Sequence, residues 1–152
     1  MKIGLISDTH GLLRPQALQA LHGCAQLIHA GDIGNPDILD ALRAIAPLTV
    51  VRGNNDRDDA WAGEVPHSAI LRAGQIGIYI THIPADVPPT LPANIQVVVT
   101  GHTHKPLMQQ RDGVLFINPG SAGPRRFKLP IAVGLLHIDG QGVVGELIEL
   151  TL

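Results

Sequence analysis

The stretch QLIHAGDIGNPDILDALRAIAPLTVVRGNND, residues 26–56, decides the fold. QLIHA (26–30) is a short β-rich run that breaks at GDIGN. Asn35 then reads as a helix N-cap, with Pro36 in the first turn and Asp37 near the positive end. Ile38, Leu39, Leu42 and Ile45 fall on one face of that helix. LTVVR (48–52) is a second strand, and it too breaks at a glycine, in GNND. The unit is repeated upstream. KIGLIS (2–7) is a strand, DTHGLL a loop, and RPQALQALHG a helix with Pro15 near its start and Gly23 as its stop. Strand-loop-helix-strand, used twice, is the pattern of a parallel sheet with right-handed crossovers.

The second part of the chain reads differently. SAILRAGQIGIYIT is two strands joined at Ala73–Gly74–Gln75 and ending at His82, followed by the proline-rich IPADVPPTLPA. IQVVVT (95–100) is a strand running into GHTH. Asp112–Gly113 splits LMQQRDGVLFIN into a hairpin, and DGQG does the same near the C-terminal end. The chain is therefore expected to close on antiparallel β-structure. The whole predicts an α/β protein, a two-layer β-sandwich of mixed sheets flanked by helices, with residues 1–152 as a single domain.

Composition narrows the class. A net charge of −2 gives no overall footprint for nucleic acid or an anionic membrane, although that total leaves room for a local basic patch. No apolar run approaches bilayer-spanning length, and the opening MKIG leads directly into a strand without a signal-peptide pattern. The lone Cys24 offers no internal disulfide, so a cytoplasmic location is expected. Edge strands in the C-terminal hairpin leave homo-oligomer formation open.

The loops carry the chemistry. Five strands end in polar clusters, SDTH, GDIGN, GNND, THIP and GHTH, and in α/β sheets ligands gather beyond the carboxyl ends of strands. These clusters supply Asp8, His10, Asp32, Asn54, His82, His102 and His104. A mixed oxygen and nitrogen set without thiolate suits borderline divalent metals: Mn, Fe, Co, Ni or Zn. Seven groups exceed the needs of one ion and match two ions sharing a carboxylate. Asp8 and His10, like His102 and His104, stand two residues apart, so in extended backbone each pair shares a side.

Asp56 reads as a loop-stabilising acceptor. His22, His67 and His137 read as surface or satisfied core residues, and His29, next to the GD loop, as core or as a support behind the ligands. Trp61 is either an anchor for its loop or part of the site rim.

In their order, DTH (8–10), GD (31–32), GNND (53–56), His82 and GHTH (101–104), with INPGS (117–121), resemble the signature of the calcineurin-like metallophosphoesterases, in particular their small single-domain phosphodiesterase branch. The resemblance implies a four-layer α/β/β/α fold. It also implies that Asp8, His10 and His104 hold one divalent ion, that Asn54, His82 and His102 hold a second, and that Asp32 bridges them. A bridging hydroxide would attack a phosphodiester or aryl phosphate in line, with Asp32, Asn54 and His82 in the catalytic set, and manganese leads the candidate metals. Asn118 reads as part of a turn, while Asn55 and Arg125 (with Arg126) are expected near the phosphate of a small phosphoester substrate.

Two departures stand out. Many larger relatives carry a histidine after the metal-binding asparagine, where this chain has Asn55, a poor general acid. Ile83–Pro84 follows His82 where many relatives have glycine. The rival reading is a non-catalytic binding scaffold on the same fold, as in the retromer scaffold subunit. The completeness of the donor set favours the enzyme.

Overall fold

The computed structural model describes residues 1–56 and 60–152. The first sheet follows from the repeated unit. Strand β1 (Lys2–Ile6) leads through α1 (Pro15–Leu21) to β2 (Gln26–His29), and α2 (Pro36–Arg43) returns the chain to β3 (Leu48–Val50). All three strands pair in parallel. The long hairpin of β9 (Ala132–Asp139) and β10 (Gly142–Glu149) adds to the free edge of β1, giving the order β10-β9-β1-β2-β3. The Asn35 side chain accepts the Asp37 amide N–H at 2.9 Å, the cap expected for α2.

The second sheet has the order β4-β5-β6-β8-β7, from β4 (Ser68–Ala73), β5 (Ile76–Thr81), β6 (Val97–Val99), β7 (Leu107–Arg111) and β8 (Val114–Asn118). The expected hairpins form. Asp112 and Gly113 both take positive φ, 52° and 79°, as a two-residue turn between twisted strands requires. The expectation of antiparallel structure holds for these hairpins, for the β9–β10 pair and for β9 against β1. β5, β6 and β8 run parallel to one another, because crossovers rather than tight turns connect them.

Alternation sorts the apolar residues. Ile3, Leu5, Ile28 and Leu136 of the first sheet meet Ile78, Ile80, Val97, Val99, Leu115 and Ile117 of the second in one buried layer. Each such side chain contributes about 1.5–3 kcal/mol through its burial. On the other face of the first sheet, Ile6, Leu27, Val133 and Leu135 pack with Ala17 and Leu21 of α1 and with Ile38, Leu39 and Leu42 of α2. Trp61, in a 3-10 turn at Ala60–Glu64, packs against this same cluster and so serves as an anchor.

The outer face of the second sheet is covered in another way. Val98 is fully buried there, and the proline-rich segment 83–94 has one 3-10 turn at Pro84–Asp86 as its regular structure. A cleft of about 660 Å³ lies between Pro84, Val87 and Leu91 on one side and Leu107 and Phe116 on the other. Among the described residues no helix is long and apolar enough to cross a membrane.

Four of the parallel strands end early, with β1 stopping at Ile6 and β6 at Val99, one residue short of the expected limits. β2 stops at His29 and β3 at Val50, a residue or two before the expected limits. The backbone released there forms the GD and GN loops.

Candidate metal centre

The carboxyl ends of β1, β2, β3, β5 and β6 meet at one end of the sandwich. Gly101 N–H donates to the His82 carbonyl at 2.9 Å, Asp8 N–H to Gly31 at 3.0 Å, and His10 N–H to Asp32 at 2.9 Å. The loops approach too closely for side chains at some positions. A Cβ on Gly53 would lie 2.1 Å from Asp32 Oδ1, and one on Gly101 would lie 2.1 Å from Ser7 Oγ. Only glycine lets these loops close on the carboxylates.

Five of the seven predicted donors hold left-handed backbone: Asp8 (φ 54°), His10 (45°), Asp32 (57°), His102 (74°) and His104 (62°). Such φ values are uncommon outside glycine, and Asp and His are among the residues that adopt them most readily. Each costs free energy that surrounding contacts must offset.

Asp56 supplies much of that support. Its buried carboxylate accepts N–H groups from Ile33 (3.0 Å), Gly34 (3.2 Å) and Gly53 (3.0 Å), tying the GD loop to the GN loop. Asn118 donates to the Gly101 carbonyl (2.9 Å) and to Thr103 Oγ1 (3.1 Å) while accepting the Gly120 N–H, so its turn also fixes the GHTH loop. His29 braces the first loop. It accepts the Gly31 N–H at Nδ1 (3.1 Å), which leaves the proton on Nε2 to face Thr9 Oγ1 (3.0 Å). Thr9 in turn donates to the Ile33 carbonyl (2.8 Å). Complete burial pushes His29 down to about 4, in keeping with a neutral ring.

Within this frame Asp8, His10 and His104 bring ligand atoms within 4.8 Å of one another, and so do Asp8, Asp32 and His82. Asp8 is common to both groups. Asp32 also faces both, with Oδ2 3.2 Å from His82 Nε2 and 3.6 Å from His10 Nε2. Asn54 and His102 stand beside these groups and meet each other, Oδ1 to Nδ1, at 3.2 Å. The His102 ring lies edge-on to His82 with centroids 5.3 Å apart, and its backbone N–H donates to Asp8 Oδ2 at 3.0 Å. The Asn55 backbone N–H donates to Asp32 Oδ1 (2.9 Å) and its side-chain amide to Oδ2 (3.1 Å). Arg125 turns its guanidinium to the Leu129 carbonyl (3.1 Å). The support from His29 and Asn55 left little trace in the sequence beyond their nearness to the GD and GN motifs.

Electrostatics favour anionic carboxylates. Burial opposes ionisation of Asp8, but the His10 and His104 imidazoles, the His82 charge and the Ser7 hydroxyl outweigh it and hold the carboxyl well below its usual range. Burial likewise opposes ionisation of Asp32, and His82 with the Asn55 N–H reverses the balance. Burial alone would lower His82; the Asp32 and Asp8 carboxylates and the Ala30 carbonyl raise it instead.

Two buried atoms show what the cluster accommodates. His82 Nδ1 lies 2.7 Å from the Ala30 carbonyl oxygen and donates to it, so a neutral ring turns its Nε2 lone pair toward Asp32 and Asp8. Asp8 Oδ1 and His82 Nε2 both lack a hydrogen-bond partner. A lone pair facing two carboxylates is repulsive, and either a proton on Nε2 or a cation bound between them relieves it. The oxygen and imidazole atoms gathered around it are the kind a divalent cation takes. The donor chemistry therefore fits a divalent cation.

This chain belongs to the calcineurin-like phosphoesterase superfamily, whose domain matches residues 1–141. It is 33% identical to a probable metallophosphoesterase of Methanothermobacter thermautotrophicus, over 98% of this chain and 92% of that one. It is 32% identical to the phosphodiesterase YfcE of Escherichia coli K12, over 95% and 91%. Vps29 of Chaetomium thermophilum shares the fold, with a TM-score of 0.75 at 20% identity over 99% of this chain and 97% of that one.

Proposed function

We propose that this metallophosphoesterase is a phosphodiesterase working with two divalent cations. Asp8, His10 and His104 would hold one, Asn54, His82 and His102 the other, and Asp32, which faces both groups, would be shared. The observation that carries this reading is the convergence of two ligand groups, Asp8–His10–His104 and Asp8–Asp32–His82, each with its ligand atoms within 4.8 Å of one another. Bound cations would acidify water and neutralise charge on phosphoryl oxygens. The oxygen and imidazole donors, free of thiolate, suit Mn first, and Fe, Ni, Co or Zn after it.

The chain's own residues divide the remaining work. Asn55 orients Asp32 through two hydrogen bonds, and its amide carries no proton suitable for a leaving group. Substrates whose leaving oxygen departs unprotonated are therefore preferred, namely aryl phosphates and phosphodiesters. Arg125, exposed on the loop after Asn118, would meet substrate charge. The reading also takes the chain as one domain in the cytoplasm, with a small phosphoester as its partner and the β7 and β10 edges available for self-association. The scaffold reading rests on fold likeness to Vps29, which carries no argument about chemistry.

The test is hydrolysis of bis-p-nitrophenyl phosphate with added Mn²⁺. Turnover should be faster than for an alkyl monoester and should fall on the order of 10³-fold in Asp8→Ala and His104→Ala. Folded protein without turnover under any of the five metals would defeat the enzyme reading.

A further inference from the structure

The segment joining the two sheets carries residues that neither the core nor the metal centre uses. β8 runs parallel to β6, and β9 runs antiparallel to β1, so residues 119–131 cross the end of the sandwich where the donors gather. The crossing is fastened to the first donor loop. Ala122 N–H donates to Ser7 (3.0 Å), Ser121 Oγ to the Asp8 carbonyl (3.0 Å), and the Arg14 guanidinium to the Gly123 carbonyl (3.2 Å).

Beyond Gly123 the chain rises into a short turn. Leu129 N–H donates to the Arg126 carbonyl (3.1 Å), and Arg125 closes the base through the Leu129 carbonyl. At its tip stands Phe127, 91% exposed in a protein with only two Phe, one Tyr and one Trp. Its φ of 54° is costly for a bulky aromatic side chain. An exposed ring held in unfavourable backbone contributes nothing to the core, and strain of this kind gathers at binding sites.

The surroundings say what the ring would meet. Arg125, Arg126 and Lys128 flank it, with Arg14 beneath the same loop. Four of the eleven Lys and Arg residues thus collect here, in a chain whose net charge is −2. Cations around the ring disfavour an aliphatic partner, whereas a flat ring bearing phosphate satisfies both features. Aromatic side chains stack on bases without regard to sequence, and Arg pairs with phosphate oxygens.

We propose that the 124–129 turn is a substrate clamp for nucleotide phosphodiesters: Phe127 stacks the base on the side away from the leaving group, and Arg125, Arg126 and Lys128 face the phosphate. The proposal rests on the phosphodiesterase reading and adds a substrate class to it. Phe127 becomes a specificity-determining residue of the site rim.

Two substrates with one leaving group isolate the clamp: the p-nitrophenyl ester of thymidine 5′-phosphate, and ethyl p-nitrophenyl phosphate. With Mn²⁺ the wild type should favour the thymidine ester through KM, by about tenfold. Phe127→Ala should remove that preference, leaving kcat and all constants for the ethyl ester unchanged. Phe127→Trp should keep it. Phe127→Gly suits the left-handed backbone, so it should melt no lower than the wild type and still lose the preference. Calorimetric titration of the metal-free protein with the thymidine ester reads the stack without turnover and should weaken about tenfold in Phe127→Ala.

Equal effects of Phe127→Ala on both esters, or none on either, overturn the clamp while the phosphodiesterase reading stands. So does a dimer that dissociates in Phe127→Ala with both KM values unchanged. Turnover of neither ester, together with titration unaffected by the substitution, overturns both.

Discussion

The floor of the metal centre and its rim are built by different means. Asp8, Asp32, His82 and His104 on the floor are at most 3% exposed, and hydrogen bonds from other loops fix both carboxylates and His82. Asn54 and His102 on the rim are exposed and their side chains meet each other at 3.2 Å, and Phe127 of the proposed clamp is exposed as well. The floor is thus set by folding itself, whereas the rim is free to meet substrate. Changes on the floor should therefore alter stability and chemistry together, and changes on the rim chemistry alone.

A pair of substitutions puts this contrast under the greatest load. His104→Ala and His102→Ala should each lower turnover of bis-p-nitrophenyl phosphate on the order of 10³-fold. Only His104→Ala, which opens a cavity beside Asp8, should also lower the melting temperature; equal melting of both variants would erase the distinction. Asp56→Ala should rank next, at about 3 kcal/mol or more of lost stability by urea unfolding, since buried N–H groups of Ile33, Gly34 and Gly53 would lose their acceptor.

His29 gives the pH test. Its folded-state pKa lies below its ordinary 6.5, at about 4, so the unfolded chain takes up this proton first as pH falls. Its contribution is whole above pH 6.5, falls away between 6.5 and about 4, and is flat below. The loss amounts to about 3 kcal/mol. Urea midpoints across that range should fall more steeply for the wild type than for His29→Gln. The smallest effect belongs to Asn55→Ala, which frees Asp32 of its side-chain bond. Metal affinity, read by competition with a chromophoric chelator, should weaken roughly 10–100-fold with little change in melting.

The floor was far more legible in the sequence than the rim. Strand-ending motifs announced Asp8, Asp32, His82 and His104, because a β-rich run that stops at a polar pair exposes its own geometry. Asp56 and the cap of α2 were legible for the same local reason. Other features were hidden. That Asp8 is common to both groups depends on where β1 lies relative to β5 and β6, a matter of sheet order that no short window contains. The grip of Asn55 on Asp32 joins two motifs across 23 positions of chain, and nothing in either motif points to the other. The brace from His29 turns on the direction of one ring nitrogen. The strain at Phe127 is a property of one dihedral angle. Parallel pairing of β6 with β8 was masked by strong hairpin signals on either side.

Much of what holds the loops together comes from residues that carry no donor. Asp56, Asn118 and Ser121 share in the holding, and none of them belongs to the set of seven. A lineage can therefore discard an exposed histidine such as His102 and inherit the architecture, so that shape outlives chemistry. By the same separation, new donors can be installed on this frame by exchanging rim residues one at a time.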